Sequence, residues 1–401
     1  MVSKKRGLRF VTPGRTTRSG PSEFEADVIG VSDTGSAVVQ HPDGRRIFVA
    51  GAWPGERILV RIKELKSQYG IGTLVKVLTP SPSRIAPPCP YHGFSAGECG
   101  GCAWMFMDYQ EQLSAKQQRV EQAIRRIQAD APVLPILPSP DPLGYRIRAQ
   151  LKTDGTALGF VANAQRQLVD VQDCLVLTPT NRATLRELRE TLPNPAWKPA
   201  NRQDWTTLDI DESVSSENVS VNKRLPFQQA NRAQNEAMQN WLAKHLASLS
   251  PASCVLELFA GSGNFTEVIA RAGFSKITAV EVVPEAVSAL AERGLAGVTP
   301  VTCDLFDEAS FADLMRRQRD TEILVLDPPR DGLKCRTGLF DKKNRLREVL
   351  YISCDLATLC RDLQEFHTFG FVLCEVQPVD LFPQTPHVEI LVRLTRGAVW
   401  P

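Results

Sequence analysis

From about Asn231 onward, apolar β-rich runs alternate with segments of helical periodicity: SCVLELF, KITAVEV, GVTPVTC, EILVLDP and EVLYIS, separated by stretches such as NFTEVIARA and PEAVSALAER. Strands that read as continuous apolar runs must be covered on both faces, and strict alternation with helices leaves few solutions other than a parallel sheet wrapped by helices. In such folds ligands bind outside the carboxyl ends of the strands. The polar residues at those ends are therefore the informative ones. The first run ends in ELFAGSGNFT, where Gly261 and Gly263 let the backbone turn tightly against a ligand and a following helix. Alone, this turn also fits a dinucleotide site or a turn that binds nothing. The second run ends in Glu281, suited to accept hydrogen bonds from a ribose diol. Asp304 follows the third run, placed to face an adenine edge, and Asp327 in LDPPRDGL follows the fourth. Together the four strand ends argue for an adenosine-containing ligand.

The preceding half of the 401-residue chain has a different texture. Between Phe24 and about Leu78, short β-rich runs and Gly or Pro turns predict a small barrel of about five strands, a type that often binds nucleic acid. Lys63, Lys66 and Lys76 are placed to form its basic face; a barrel acting only as a spacer is the alternative. The prolines of SPSRIAPPCP mark a boundary. DYQEQLSAKQQRVEQAIRRI then reads as a helix over 108–128, with Leu113, Val120, Ile124 and Ile127 on one face and Asp108 with Glu111 as a capping box. Tyr145 to Phe227 is strand-like and irregular. A hydrophobic fraction of 43%, a charged fraction of 23% and the lack of an apolar run able to cross a bilayer predict a cytoplasmic protein that binds no membrane. Residues 1–20 form a basic arm carrying Lys4, Lys5, Arg6, Arg9, Arg15 and Arg18, without the apolar stretch of a signal peptide. The net charge of +2 does not decide for or against a nucleic-acid partner. In a reducing compartment the ten cysteines point to a metal or a catalytic thiol rather than to disulfides. Cys89-x2-His92 with Cys99-x2-Cys102 is acceptable spacing for zinc.

The motifs FVAGAWPGERILVRI, FQQAN at 227–231, ELFAGSGNF, AVEVVPEAV, LDPPRDGL, YISCDLATLCRDL and FPQTPHVE occur in this order. In that combination the chain resembles the RNA uracil-C5 methyltransferases, which use S-adenosylmethionine to make 5-methyluridine in ribosomal and transfer RNA. The resemblance covers nearly everything after the basic arm. It implies a multidomain α/β protein: a TRAM barrel of OB-like type over 21–80, a central α+β domain with a cysteine cluster over 81–228, and a Rossmann-like methyltransferase domain over 229–401. Helix 108–128 is expected to pack on the last of these.

Carried over by position, the resemblance makes Gln229, Phe259, Asn264, Glu281, Asp304 and Asp327 the S-adenosylmethionine contacts, Cys354 the nucleophile and Glu389 the general base. The chemistry needs both of the last two, because C5 of uracil is too poor a nucleophile until a thiolate has added to C6, and the C5 proton must later be removed. Cys360, in the following helix, reads as a packing residue. The sequence departs from many relatives at Leu356, where they carry proline. Arg330, after the two prolines, stands where amine methyltransferases tend to have an aromatic residue, which favours carbon methylation. Cys89, Cys99, Cys102 and the distant Cys174 match the four thiolates that hold a 4Fe–4S cluster in many members, with zinc on His92 as the rival. Nine residues separate Cys89 from Cys99, more than the family's usual spacing. The implied partner is RNA with an unstacked uridine, ribosomal RNA being favoured over transfer RNA, bound by a monomer. The barrel, the basic arm, Tyr145, Arg146 and Arg148 are expected to grip it. A non-catalytic RNA-binding assembly protein, or more remotely a DNA methyltransferase, are the competing readings; retention of both Cys354 and Glu389 favours the enzyme.

Overall fold

The structure, a computed structural model, describes residues 21–162, 167–225 and 227–396, so the basic arm lies outside the described residues. The chain divides after Pro82 into two compact units. In the first, alternating burial defines six strands: β1 (Glu23–Asp27), β2 (Gly30–Val31), β3 (Ala37–Gln40), β4 (Arg46–Val49), β5 (Arg57–Leu65) and β6 (Tyr69–Thr79). They hydrogen-bond in the order β1-β5-β6-β4-β3-β2, antiparallel except where β4 meets β6. Three register shifts between β5 and β6 bend this pair, and the sheet curls around Phe24, Val39, Ile47, Ile58 and Val60. Gly72 permits the close approach, since a Cβ there would stand 2.6 Å from Cγ1 of Val60. The WPGE turn is held from inside by the buried carboxylate of Glu56, which accepts from the backbone N–H groups of Trp53 at 2.9 Å and Ser81 at 3.1 Å. Lys63, Lys66 and Lys76 are exposed.

The second unit begins with α1 (Tyr109–Ile124), capped as expected by Asp108, whose side chain accepts from the N–H of Glu111 at 2.9 Å. The region that reads only as strand-like forms a second sheet from β7 (Arg148–Thr153), β8 (Leu158–Val161), β9 (Leu168–Asp170) and β10 (Thr206–Asp211), in the antiparallel order β10-β7-β8-β9. Leu185 and Leu188 of α2 (Pro179–Glu190) pack on its Leu151, Leu158 and Leu208. One expectation is corrected here. Tyr145 is buried, with its hydroxyl donating to the carbonyl of Pro383 at 3.1 Å. Arg148 is bound to the buried carboxylate of Asp209 at 2.6 Å on an interior strand. Tyr145 is thus withdrawn from the surface, and Arg148 is neutralised by an acid that lies far from it in the sequence.

The third sheet follows α3 (Arg232–Leu246) and comprises β11 (Cys254–Leu258), α4 (Thr266–Arg271), β12 (Ile277–Glu281), α5 (Pro284–Glu292), β13 (Val298–Thr302), α6 (Glu308–Arg317), β14 (Thr321–Leu326), β15 (Glu348–Ser353), α7 (Leu356–Thr368), β16 (Phe371–Val379) and β17 (Glu389–Arg396). Its order is β13-β12-β11-β14-β15-β17-β16. The five expected strands are parallel, and β17 runs against both neighbours. Strand residues alternate between two cores with period two. Leu256, Leu258, Leu324, Leu326, Val349 and Tyr351 face a core shared with Val120 and Ile124 of α1 and with residues of α6 and α7. Val255, Ile323, Val325, Leu350 and Ile352 face a core shared with Met238 and Leu242 of α3 and Ile269 of α4. Packed on both faces, the sheet leaves its carboxyl edge free for a site. Among the described residues no helix is long and apolar enough to cross a membrane.

Candidate active site

At the end of β11 the chain turns through three residues of positive φ, Phe259 at 64°, Gly261 at 54° and Gly263 at 96°. The Gly261 N–H donates to Oε2 of Glu281 at 3.0 Å, while Oε1 accepts from the N–H groups of Val282 and Val283 at 2.8 and 3.0 Å. Glu281 thus ties together the turns that follow β11 and β12. Phe259 is half-buried, its ring centroid 5.8 Å from that of Phe306. Asn264 is held from α3: it exchanges amide hydrogen bonds with Asn235 at 2.9 and 3.0 Å, and its Oδ1 accepts from Gln239 at 3.0 Å. Asp304 is exposed, its carboxylate accepting from the N–H of Phe306 at 2.8 Å. Gln229 is half-buried and lies two residues before Asn231, whose side chain caps α3.

Cys354 directly follows β15, and Glu389 opens β17. The antiparallel register pairs Ser353 with Ile390. Cys354 lies one residue beyond that last pair and Glu389 is the next residue outward on β17, so the two stand at the same end of the ladder, with the Glu389 carboxyl near enough to raise the Cys354 thiol. Asp327 follows β14, which pairs with β15 through Leu326 and Tyr351, so it joins them at the same edge. The turn after Cys354 does not depend on a proline. Asp355 caps α7 by accepting from the N–H of Thr358 at 2.9 Å, and Leu356 is buried in the core. Cys360 packs against that core.

The electrostatics of this edge are dominated by burial and by neighbouring carboxyls. Burial pushes the Cys354 thiol up to about 12, reinforced by the carboxyls of Glu389, Asp327 and Asp355 and opposed by Arg330. Burial also raises Glu389, which is 3% exposed, well above the carboxylate range, with Asp327 adding to the shift. Asp327 itself is pushed up to about 7 by burial. A residue that sequence reasoning missed belongs here too. Glu257, inside β11, is 2% exposed and raised to about 8, chiefly by burial, and its Oε2 has no hydrogen-bond partner among the described residues. Its signal was an acid in an otherwise apolar strand just before the glycine turn. Phe306, an aromatic two residues past Asp304, faces Phe259 and is equally visible in the sequence. Such an edge favours a positively charged ligand, and it holds a thiol near a buried carboxyl.

Cys89, Cys99, Cys102 and Cys174 come together around one cavity, with Tyr91, His92, Met105, Phe160 and Val176 in its wall. The thiols feel one another. Burial raises Cys102, reinforced by Cys174, Cys99 and Cys89, and raises Cys174 to about 11 with help from Cys99 and Cys89. Nε2 of His92 is buried without a hydrogen-bond partner among the described residues. Among the described residues no three His, Cys, Asp or Glu side chains form a closed group for a single metal ion.

The family model described as tRNA (Uracil-5-)-methyltransferase matches residues 208–397. An uncharacterized RNA methyltransferase of Nitrosomonas europaea is 42% identical over 374 residues, which cover 92% of this chain and 95% of that protein. The 23S rRNA (uracil(1939)-C(5))-methyltransferase RlmD of Halomonas elongata is 30% identical over 452 residues, covering 95% of this chain and 92% of the relative. Among solved structures, the tRNA (uracil-54, C5)-methyltransferase of Pyrococcus abyssi in complex with S-adenosyl-L-homocysteine matches 93% of this chain and 100% of its own with a TM-score of 0.67. At 19% identity that likeness is one of fold.

The raised thiol at Cys354 has a direct consequence for the ligand-free protein. A group whose ionisation is pushed upward stays a thiol at neutral pH, and its thiolate fraction grows about tenfold per pH unit below the shifted value. Alkylation of Cys354 by iodoacetamide, followed by peptide mass spectrometry, should therefore accelerate about tenfold per unit between roughly pH 7 and 9 without a plateau. Exposed Cys374 should be modified first. A plateau for Cys354 in that range would mean that its thiol is already ionised.

Proposed function

The chain belongs to the RNA uracil-C5 methyltransferase family, and from that premise we propose that it methylates C5 of a uridine in RNA through a covalent bond between Cys354 and C6 of the base. The observation that supports this reading is the pairing of β15 with β17, whose last pair, Ser353 with Ile390, leaves Cys354 and Glu389 at the same open edge of the sheet. S-adenosylmethionine supplies an electrophilic methyl group on a positively charged sulfur. The Cys354 thiolate adds to C6, and the electron pair displaced toward C5 makes that carbon the nucleophile which takes the methyl group. Glu389 then accepts the C5 proton; the electrons of that C–H bond re-form the C5–C6 double bond as the C6–S bond breaks and the thiolate returns. A carboxylate whose ionisation is pushed upward is the stronger base once ionised. A cation at the edge favours the ionised forms of Cys354, Asp327 and Glu389, which supports a sulfonium-bearing ligand.

On this reading Gln229, Phe259, Asn264, Glu281, Asp304 and Asp327 line the S-adenosylmethionine site. The curled sheet over 21–80 acts as a TRAM domain, 81–228 as the central domain and 229–401 as a Rossmann-like catalytic domain. Ribosomal RNA is favoured as substrate, since several relatives at about 30% identity are named 23S rRNA methyltransferases. The four cysteines are read as ligands of a 4Fe–4S cluster. A zinc ion draws its sulfurs to about 2.3 Å from a single point, whereas a cluster spreads four thiolates over a larger cube. Four thiols gathered around one cavity support the second. Cys89, Cys99, Cys102 and Cys174 would hold it, and its chemistry there is electron storage or a structural clasp.

The two catalytic assignments give opposite signatures. Cys354→Ala should bind RNA but transfer no methyl group and form no adduct. Glu389→Gln should complete methyl transfer and then remain bonded to methylated RNA, visible on a denaturing gel and dependent on S-adenosylmethionine. Cys360→Ala should keep nearly full activity; if it is dead while Cys354→Ala is active, the nucleophile is misassigned.

For the cysteine site, protein purified without oxygen should contain iron and acid-labile sulfide and lose both in Cys174→Ser. One equivalent of zinc that survives Cys174→Ser would decide for the rival ligand set of Cys89, His92, Cys99 and Cys102.

A further inference from the structure

The segment 380–388 joins β16 to β17 and ends one residue before Glu389, so its conformation sets where that carboxyl stands. It contains no regular structure, and its backbone carbonyls are taken by donors from elsewhere in the chain. The carbonyls of Asp380 and Leu381 accept from Gln234 at 3.2 Å and Asn231 at 3.3 Å. Those of Phe382, Pro383 and Pro386 accept from Lys116 at 3.1 Å, Tyr145 at 3.1 Å and Arg119 at 2.8 Å. The Gln384 carbonyl accepts from the N–H of Trp104 at 2.9 Å.

The side chains that α1 contributes come from one stripe. Tyr109, Gln112, Lys116 and Arg119 are spaced three, four and three residues apart, within an arc of about 80° on a helix of 3.6 residues per turn. It borders the apolar stripe of Leu113, Val120 and Ile124. At its centre the Lys116 ammonium and the Asp380 carboxylate form an ion pair with both side chains fully buried. The Tyr109 hydroxyl donates to the other Asp380 oxygen at 2.7 Å and accepts from the N–H of Ser139 at 2.8 Å. Gln112, also fully buried, donates to Oε1 of Gln384 at 3.0 Å and accepts from its N–H at 3.0 Å. That reciprocal bond holds Gln384 at a φ of 68°, a conformation uncommon for a residue with a side chain.

We propose that the polar stripe of α1, centred on the Lys116–Asp380 pair, is the template that positions Glu389 for removal of the C5 proton, making Tyr109, Gln112, Lys116 and Asp380 positioning residues for the second half of the reaction. This rests on the reading of Glu389 as the base. Core packing alone needs no such stripe, since the apolar face of α1 already anchors the helix, and a buried ion pair contributes specificity of arrangement more readily than stability. Cys354 stands between β15 and α7, whereas the hydrogen bonds and ion pair of the stripe described above go to segment 380–388 and Ser139, so addition to C6 and methyl transfer should be largely independent of it.

The test is single-turnover kinetics on RNA, following covalent adduct formation and adduct release separately. Lys116→Met/Asp380→Asn removes both charges together and leaves no unpaired one. Adduct should form at a rate within about twofold of the unsubstituted enzyme, whereas release should slow by about ten- to hundredfold, the scale of a catalytic group displaced by about 1 Å. Tyr109→Phe, which deletes one hydroxyl, should slow release in the same direction by a smaller factor, and it decides the matter if the double variant fails to fold. Release at the ordinary rate in the folded variants, or equal slowing of both steps, overturns the proposal. Glu389→Gln run alongside separates the two levels. If it accumulates adduct and the stripe variants do not, only the template role fails; if it turns over normally, the assignment of the base falls first.

Discussion

The pairing of β17 between β15 and β16 is the constraint on which the site depends. A strand that ran parallel to β15 would deliver its first residue to the opposite edge of the sheet. Because β17 runs against its neighbours, with Ser353 opposite Ile390 and Val379 opposite Glu389, its first residue arrives where β15 and β16 end. The ladder is buried on both faces, with Ile390, Val392 and Leu394 in one core and Leu391 in the other. A slip of one residue would reverse every one of those side chains, so the packing that stabilises the sheet also fixes the register that ends beside Cys354.

That edge is costly to maintain. Burial raises Glu257, Asp327 and Glu389 together, and the last two, with Asp355, help to raise the Cys354 thiol. The stability has to come from elsewhere in the fold, and the two apolar cores on either side of the sheet supply it. The Lys116–Asp380 pair extends the same logic: removing one partner of a buried pair strands a charge at a cost of about 3–5 kcal/mol, which makes the arrangement of segment 380–388 hard to vary.

How much of this was legible in the sequence depended on how local each signal was. The five parallel strands, the glycine turn, Glu281 and Asp327 were readable because apolar runs and the residues that end them are neighbours in the chain. The place of Cys354 at a strand end was readable in the same way, while its role came from the resemblance. Glu389 was marked only by resemblance, since its meaning lies in a cross-strand partner, and Cys174 was in the same position relative to Cys89, Cys99 and Cys102. Tyr145 and Arg148 misled because their partners, Pro383 and Asp209, are remote. The stripe of α1 was invisible, as Lys116 meets Asp380 across 264 residues; only the apolar face of that helix has a periodicity that sequence can show.

The central claim is that Cys354 bonds to C6 of the target uridine and that a neighbouring group must then take the C5 proton. RNA carrying 5-fluorouridine separates these steps, because fluorine cannot leave C5 as a cation and the final elimination is blocked. Incubation of the unsubstituted protein with S-adenosylmethionine and such RNA should give a stable adduct, and nuclease digestion followed by peptide mass spectrometry should find the methylated fluoropyrimidine on Cys354. A bond to any other residue, or no adduct under conditions in which ordinary RNA is methylated, would contradict the account.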